Sequence, residues 1–408
     1  MRSRCWVFGV LAVVAVSIAG CSAPKRLPAV PKALQTRAEV PGLPGVRYRY
    51  GLMDRLLADA RESFEREQAA LAAAGQNGPL PPVHFLAISG GGDNGAFGAG
   101  LLNGWTAAGD RPTFKLVTGV STGGLIAPFA FLGSSRDATL KEMYTNIKQH
   151  DIMVKRYFLA ALTDDAVADN RPLWLQLEKQ VNRQMLDEIA AESAKGRILI
   201  VGTTDLDARQ GVLWNMTKIA ESRDPRALDL FRKIMIASAA IPGAFPPTMI
   251  EVEVDGKRYQ EMHVDGGCTA QVFVYPPAVN LAKISAEQGI VRDRHLYIIR
   301  NARLDPDWAD VERRMLTIAG RAVSTLIQNQ GMGDLYRIFA TSRRDGVDFN
   351  LARVPDTFDA PHREEFDSDY MRALYDLAFK AGSQGYPWEK VPPNFSADEE
   401  QAAASPAP

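Results

Sequence analysis

Ser121 lies in Gly119-Val120-Ser121-Thr122-Gly123, between the apolar run 114–117 and Leu125-Ile126-Ala127, so its hydroxyl sits where a strand turns sharply into a helix. Such an elbow suits a serine nucleophile. The turn crowds the serine backbone, and flanking glycines tolerate the close approach. The following helix aims free N–H groups and a positive dipole end at the hydroxyl. The pentapeptide alone also fits an ordinary strand-to-helix connection.

A second cluster stands upstream. The apolar stretch 83–88 reads as a buried strand and runs into Ser89-Gly90-Gly91-Gly92-Asp93-Asn94-Gly95, followed by a helical stretch at 96–108. Consecutive glycines leave backbone N–H groups bare to converge on an oxyanion, which makes Gly90, Gly91 and Gly92 candidate donors. Gly90, Gly92 and Gly95 also match the G-x-G-x-x-G of a dinucleotide site. That site wants an acid at the end of the second strand, whereas Asp110 precedes it and the strand ends in the serine elbow. The third piece is Asp265, closing the alternating strand 259–264 and followed by Gly266-Gly267. A carboxylate can take the serine proton in a water-poor site, although aspartate, with an unperturbed pKa of about 3.9, is a weak base. Read alone, Asp-Gly-Gly is a common turn.

In this order, Gly90-Gly91-Gly92-Asp93-Asn94-Gly95, Gly119-Val120-Ser121-Thr122-Gly123 and Asp265-Gly266-Gly267, the motifs resemble those of the patatin-like phospholipases, over roughly residues 85–277. The resemblance implies a three-layer α/β/α fold with a mostly parallel sheet, and a Ser121-Asp265 dyad without a catalytic histidine. It also implies an oxyanion hole around Gly91 and Gly92, with an acyl lipid or ester as substrate. Asn94 stands where many members carry a basic residue, which leaves neutral esters open beside phospholipids. The alternative is an inactive lipid-binding or envelope-interaction module on the same fold.

Strand alternation puts His263 on the side of Asp265, so a Ser121-His263-Asp265 triad is conceivable. Packing beneath the site, or bonding to a neighbouring loop, is the plainer reading. No spacing of His, Cys, Asp or Glu suggests a metal, and no cofactor is expected. Cys268 reads as a small buried residue beside the site.

Arg2 and Arg4 precede sixteen uncharged residues, 5–20. A spanning helix needs about 20, so this reads as a secretory signal. Ile18-Ala19-Gly20-Cys21 then looks like a bacterial lipobox, with Cys21 lipidated after cleavage. Several acyl chains on one residue would anchor the protein durably. Ser22 after it would, by resemblance, direct it to the outer membrane, facing the periplasm.

The chain thus divides into a signal (1–20), a lipidated Cys with a Pro-rich solvated tether (21–50), a helix and linker (51–82), the catalytic domain (83–280), an α/β extension (281–390) and a disordered tail (391–408). Further strands are expected at 198–203, 212–216, 249–254 and 296–300, and helices at 173–194, 227–239, 311–328 and 366–381; their interleaving argues a largely parallel sheet covered on both faces. Segment 238–247 resembles the family's acyl-site lining, and the apolar and basic stretch 152–162 fits either a cap or a core helix. At 408 residues, 46% hydrophobic and with a formal charge of −1, the chain can bury a full α/β core and gives no sign of nucleic-acid binding.

Overall fold

The computed structural model describes residues 25–49, 53–155, 165–305 and 308–395. Strands β1 (Arg47–Tyr48), β2 (Val83–Ile88), β3 (Leu116–Val120), β4 (Val154–Lys155), β5 (Ala168–Asp169), β6 (Ile198–Asp205) and β7 (Gln210–Asn215) are followed by β8 (Thr248–Val254), β9 (Lys257–Asp265), β10 (Arg294–Arg300) and β11 (Asp348–Arg353). Helices α1 (Met53–Ala73), α2 (Gly95–Ala108), α3 (Thr122–Leu132), α4 (Asp137–Thr145), α5 (Gln149–Ile152) and α6 (Arg171–Gln180) come first. Then follow α7 (Arg183–Ser193), α8 (Met216–Glu221), α9 (Ala227–Ser238), α10 (Leu281–Gln288), α11 (Met315–Arg344) and α12 (Ser368–Ser383).

The main sheet runs β1-β7-β6-β3-β2-β10-β11, and β6-β3-β2-β10-β11 are parallel. Antiparallel β7 and β1 extend one edge. Period-two alternation divides the core into two faces. Leu86 and Ile88 of β2 join the helices α2, α3, α9 and α12, whereas Phe85 and Ala87 face Leu335, Ile338 and Phe339 of α11. This is the α/β/α layering expected of a patatin-like fold.

β6 has neighbours on both edges. Along one it pairs first with β3, ending at Val120 opposite Gly202, and then with antiparallel β9, ending at Thr203 opposite Asp265. Two strands running in opposite directions therefore meet end to end at consecutive residues of β6. Their last residues are the ones that precede the elbow and carry the carboxylate.

Four expectations are corrected. Residues 25–49 are docked rather than a solvated tether: Val30, Val40, Leu43 and Val46 are buried, and β1 pairs with β7. The prolines lie between apolar residues that find a sheet edge to cover. The helix expected at 173–194 is broken at Val181-Asn182, where Asn182 caps α7 by accepting the Met185 N–H at 3.0 Å. The tail starts later than 391, since Val391 and Phe395 pack on the α11 core. Cys268 is exposed, not buried, because the short turn Gly266–Cys268 carries it outward. The signal, Cys21 and residues 156–162 of the cap candidate lie outside the described residues. Of that candidate, Ile152 and Met153 are buried and β4 pairs with β5.

Candidate active site

The elbow forms at the end of β3. Ser121 has φ 55° and ψ −128°, a conformation that side chains rarely adopt and that surrounding structure must enforce. Two glycines permit it. A Cβ on Gly123 would lie 2.2 Å from the Ile88 carbonyl oxygen, and one on Gly119 would lie 2.3 Å from that of Gly123. The Ser121 N–H donates to Ser238 Oγ at 2.9 Å, and the Ser238 hydroxyl donates to the Gly202 carbonyl at 2.7 Å. Ser238 thus ties the elbow to β6, a contact that sequence reading did not identify.

Asp265 meets Ser121 across the strand junction. Its carboxylate accepts the Gly267 N–H at 2.7 Å, and the neighbouring Ser121 side chain favours its ionised form. Its own N–H donates to the Ala240 carbonyl at 2.9 Å, so segment 238–240 braces both residues. Gly266 packs into the junction, where a Cβ would stand 2.4 Å from the Gly202 carbonyl oxygen. Burial dominates the titration of Asp265: loss of water raises it to about 6, against the opposing pull of the Ser121 side chain and the Gly267 N–H. A carboxyl poised there is far better matched to taking a serine proton near neutral pH than one near 4.

The glycine loop follows β2 and lies against the elbow. A Cβ on Gly90 would stand 3.1 Å from that of Ser121 and 3.1 Å from Gln271 Oε1. The Gly90 N–H donates to the Gln271 carbonyl at 3.1 Å, which removes it from the expected oxyanion donors. Among the described residues, the Gly91 and Gly92 amides donate no hydrogen bond within the protein, so they are the two available for an oxyanion. Gly91 must be glycine, because a Cβ there would fall 1.9 Å from the Asn301 carbonyl oxygen. Gly95 opens α2.

Asn301, just past β10, is the loop's hidden support. Its N–H donates to Ser89 Oγ at 2.8 Å, its Nδ2 donates to the Ser89 carbonyl at 2.9 Å, and its Oδ1 accepts the Gly98 N–H at 3.0 Å. A second support comes from the C-terminal part of the chain. The Tyr370 hydroxyl donates to Asn94 Oδ1 at 2.6 Å, while Asp93 Oδ2 lies 2.7 Å from His362 Nε2 and accepts the Phe366 N–H at 2.9 Å. Asn94, which departs from the family's basic position, thus ties the loop to α12, and Asp93 ties it to the segment just before that helix.

His263 is fully buried, 2.9 Å from Thr203 Oγ1 and 3.2 Å from Glu261 Oε2, and so belongs to a buried polar network. There, β1 and the residue after it insert Arg47 and Arg49. Arg49 stands 2.9 Å from Asp205 and 2.5 Å from Glu261, and Arg47 stands 2.5 Å from Glu261. Despite its burial, Glu261 is held well below the usual carboxylate range by these guanidiniums and by His263. Asp205, Glu261 and His263 also group closely enough to suggest metal ligands, but the arginines already pair with both carboxylates. A cavity of about 400 Å³ lies behind Val120 and Gly266 and is lined by Phe273, Val272 and Ile338. Neither Ser121 nor Asp265 lines it. Desolvation and the nearby Asp265 raise the Cys268 thiol to about 11, which keeps it protonated and a poor nucleophile.

Residues 86–277 match the family model of the patatin-like phospholipases. No curated protein matches the chain in sequence. Among solved structures, VipD from Legionella pneumophila is similar at 11% identity, over 72% of this chain and 67% of that one, with a TM-score of 0.33.

Proposed function

Since the chain belongs to the patatin-like phospholipase family through residues 86–277, whose members are lipid acyl hydrolases, we propose that it cleaves acyl esters through a Ser121-Asp265 dyad and a covalent acyl-enzyme. The single observation that carries this is the end-to-end meeting of β3, which leads into Ser121, and β9, which ends in the buried Asp265 carboxylate, at consecutive residues of β6. In the first half-reaction Asp265 takes the hydroxyl proton as Oγ attacks the ester carbonyl carbon. The carbonyl oxygen becomes an anion facing the Gly91 and Gly92 amides. Collapse breaks the bond to the alcohol, which leaves with the proton from Asp265. Water then attacks the acyl-enzyme with Asp265 again as base, releasing the carboxylic acid and restoring Ser121.

Substrate reach follows from the same groups. Asn94 is engaged with Tyr370 and offers no cation to a phosphate, so the reacting centre selects an ester carbonyl before a headgroup. We assign the protein to the bacterial envelope on the sequence 18–21, with Cys21 as the lipidated residue; release from the membrane fraction by Cys21→Ala tests that assignment. The activity test is Ser121→Ala. It should lower hydrolysis of p-nitrophenyl butyrate on the order of 10³-fold or more, and an acyl-phosphonate should label wild type at Ser121 alone. Labelling elsewhere, or full activity in the pure variant, contradicts the proposal.

A further inference from the structure

Gln271 is 6% exposed and lies outside the three glycine motifs, yet it touches two of them. A Cβ on Gly90 would stand 3.1 Å from both Gln271 Oε1 and Ser121 Cβ, and one on Gly267 would stand 2.4 Å from Gln271 Nε2 and 2.9 Å from Asp265 Oδ1. One side-chain amide thus abuts the glycine that packs on the nucleophile and the glycine whose N–H holds the base.

Hydrogen bonds fix it in place. Nε2 donates to the Gly267 carbonyl at 3.0 Å, and the Gln271 carbonyl accepts the Gly90 N–H at 3.1 Å. The Gln271 N–H donates at 2.6 Å to Asp334 Oδ2, which also accepts the Val272 N–H at 3.4 Å. Asp334 belongs to the buried half of α11, is 1% exposed and attracts the buried guanidinium of Arg300. That guanidinium lies against the same helix, where a Cβ on Gly331 would fall 2.4 Å from Arg300 Nη2. Arg300 precedes Asn301, the support of Ser89 and Gly91. Helix α11 therefore reaches both halves of the site through one residue. Acyl transfer needs donors fixed where the oxyanion forms and a base fixed at the nucleophile. A residue bonded to both elements sets their mutual spacing, and so acts on turnover more than on substrate binding.

We propose that Gln271 is a positioning residue that locks the glycine loop and the Asp265 turn into one unit, so that the Gly91 and Gly92 amides and the base keep a fixed spacing about Ser121. The proposal rests on the hydrolase reading above. The test uses the full chain, p-nitrophenyl butyrate, and kcat expressed per Ser121 site counted by acyl-phosphonate labelling to completion, so that unfolded protein does not enter. Gln271→Met keeps length and volume but cannot donate to the Gly267 carbonyl. It should lower kcat on the order of 10²-fold and leave KM within about twofold. The pH midpoint of kcat/KM should rise above about 6, because a loosened turn withdraws the Gly267 N–H that favours ionised Asp265. Gln271→Glu, the isosteric change, should lower kcat likewise and raise the midpoint further, since a second carboxylate beside Asp265 opposes its ionisation. A glutamine that merely filled space would leave the per-site kcat and the midpoint in place, and that result in either folded variant overturns the proposal. A rise in KM at constant kcat does the same. Ser121→Ala, assayed in parallel, separates the two readings. If it is inactive while Gln271→Met turns over at the wild-type rate, the positioning role alone is lost. Full activity in Ser121→Ala, or a wild type that neither hydrolyses the ester nor is labelled, ends the hydrolase reading and the proposal with it.

Discussion

Asp265→Asn should inactivate the protein and make it more stable, and the two effects share one cause. Burial raises the Asp265 carboxyl from 3.8 to about 6, so between those values the folded chain binds a proton that the unfolded chain has lost. Stability from the neutral acid is fully present below pH 4 and is lost as pH rises through 6. The shift of about two units corresponds to roughly 3 kcal/mol held against folding at pH 8. Asparagine is neutral at every pH and its carbonyl can still accept the Gly267 N–H. The variant should therefore exceed wild type by about 3 kcal/mol at pH 8, a rise of several degrees in melting temperature. That advantage should shrink through pH 6 and vanish near pH 4. In the wild type, kcat/KM should be half-maximal at about pH 6 and fall about tenfold per pH unit below it. Thermal denaturation of both proteins from pH 4 to 8, beside the pH–rate profile, checks each part. A stability difference that is absent at pH 8, or constant with pH, would refute the assignment of a strained buried carboxylate.

Removing Arg47 leaves Arg49 alone to balance both Glu261 and Asp205 in the core, so Arg47→Met should cost about 3–5 kcal/mol in denaturant unfolding, and adding Glu261→Leu should recover most of it because Arg49 and Asp205 then pair one to one. Tyr370→Phe removes the donor to Asn94 and should cost about 1 kcal/mol, while lowering kcat on a soluble ester several-fold at nearly constant melting temperature. An unchanged kcat would show that the glycine loop does not need its tie to α12.

Ser121, Asp265 and the glycine loop were legible in the sequence because turns impose local demands that glycine must meet. The same holds for the parallel strands β2, β3, β6 and β10, whose apolar runs are nearly continuous. What escaped comes from far along the chain. Ser238, Gln271, Asn301 and Tyr370 are ordinary polar residues until folding sets them beside the elbow or loop, and no spacing announces them. Only the small-residue and proline character of 238–247 hinted that this segment mattered. Arg47 and Arg49 looked like solvated charges, because their carboxylate partners are more than 150 residues distant. β11 was missed since Asp348-Phe349-Asn350-Leu351 mixes polar and apolar positions. Gly90 was misassigned as a donor because a glycine run does not reveal which amides the fold itself consumes.

Because Val120 and Asp265 pair with neighbouring residues of β6, the spacing of the reacting groups is written in main-chain bonds. Side chains along β6 can change with little effect on it. One residue inserted between Gly202 and Thr203, however, would slide the two strand ends apart by about 3.3 Å and turn one of them over. The active centre should therefore tolerate substitution in β6 widely and length change there not at all, a contrast that a scanning library of point and insertion variants would reveal.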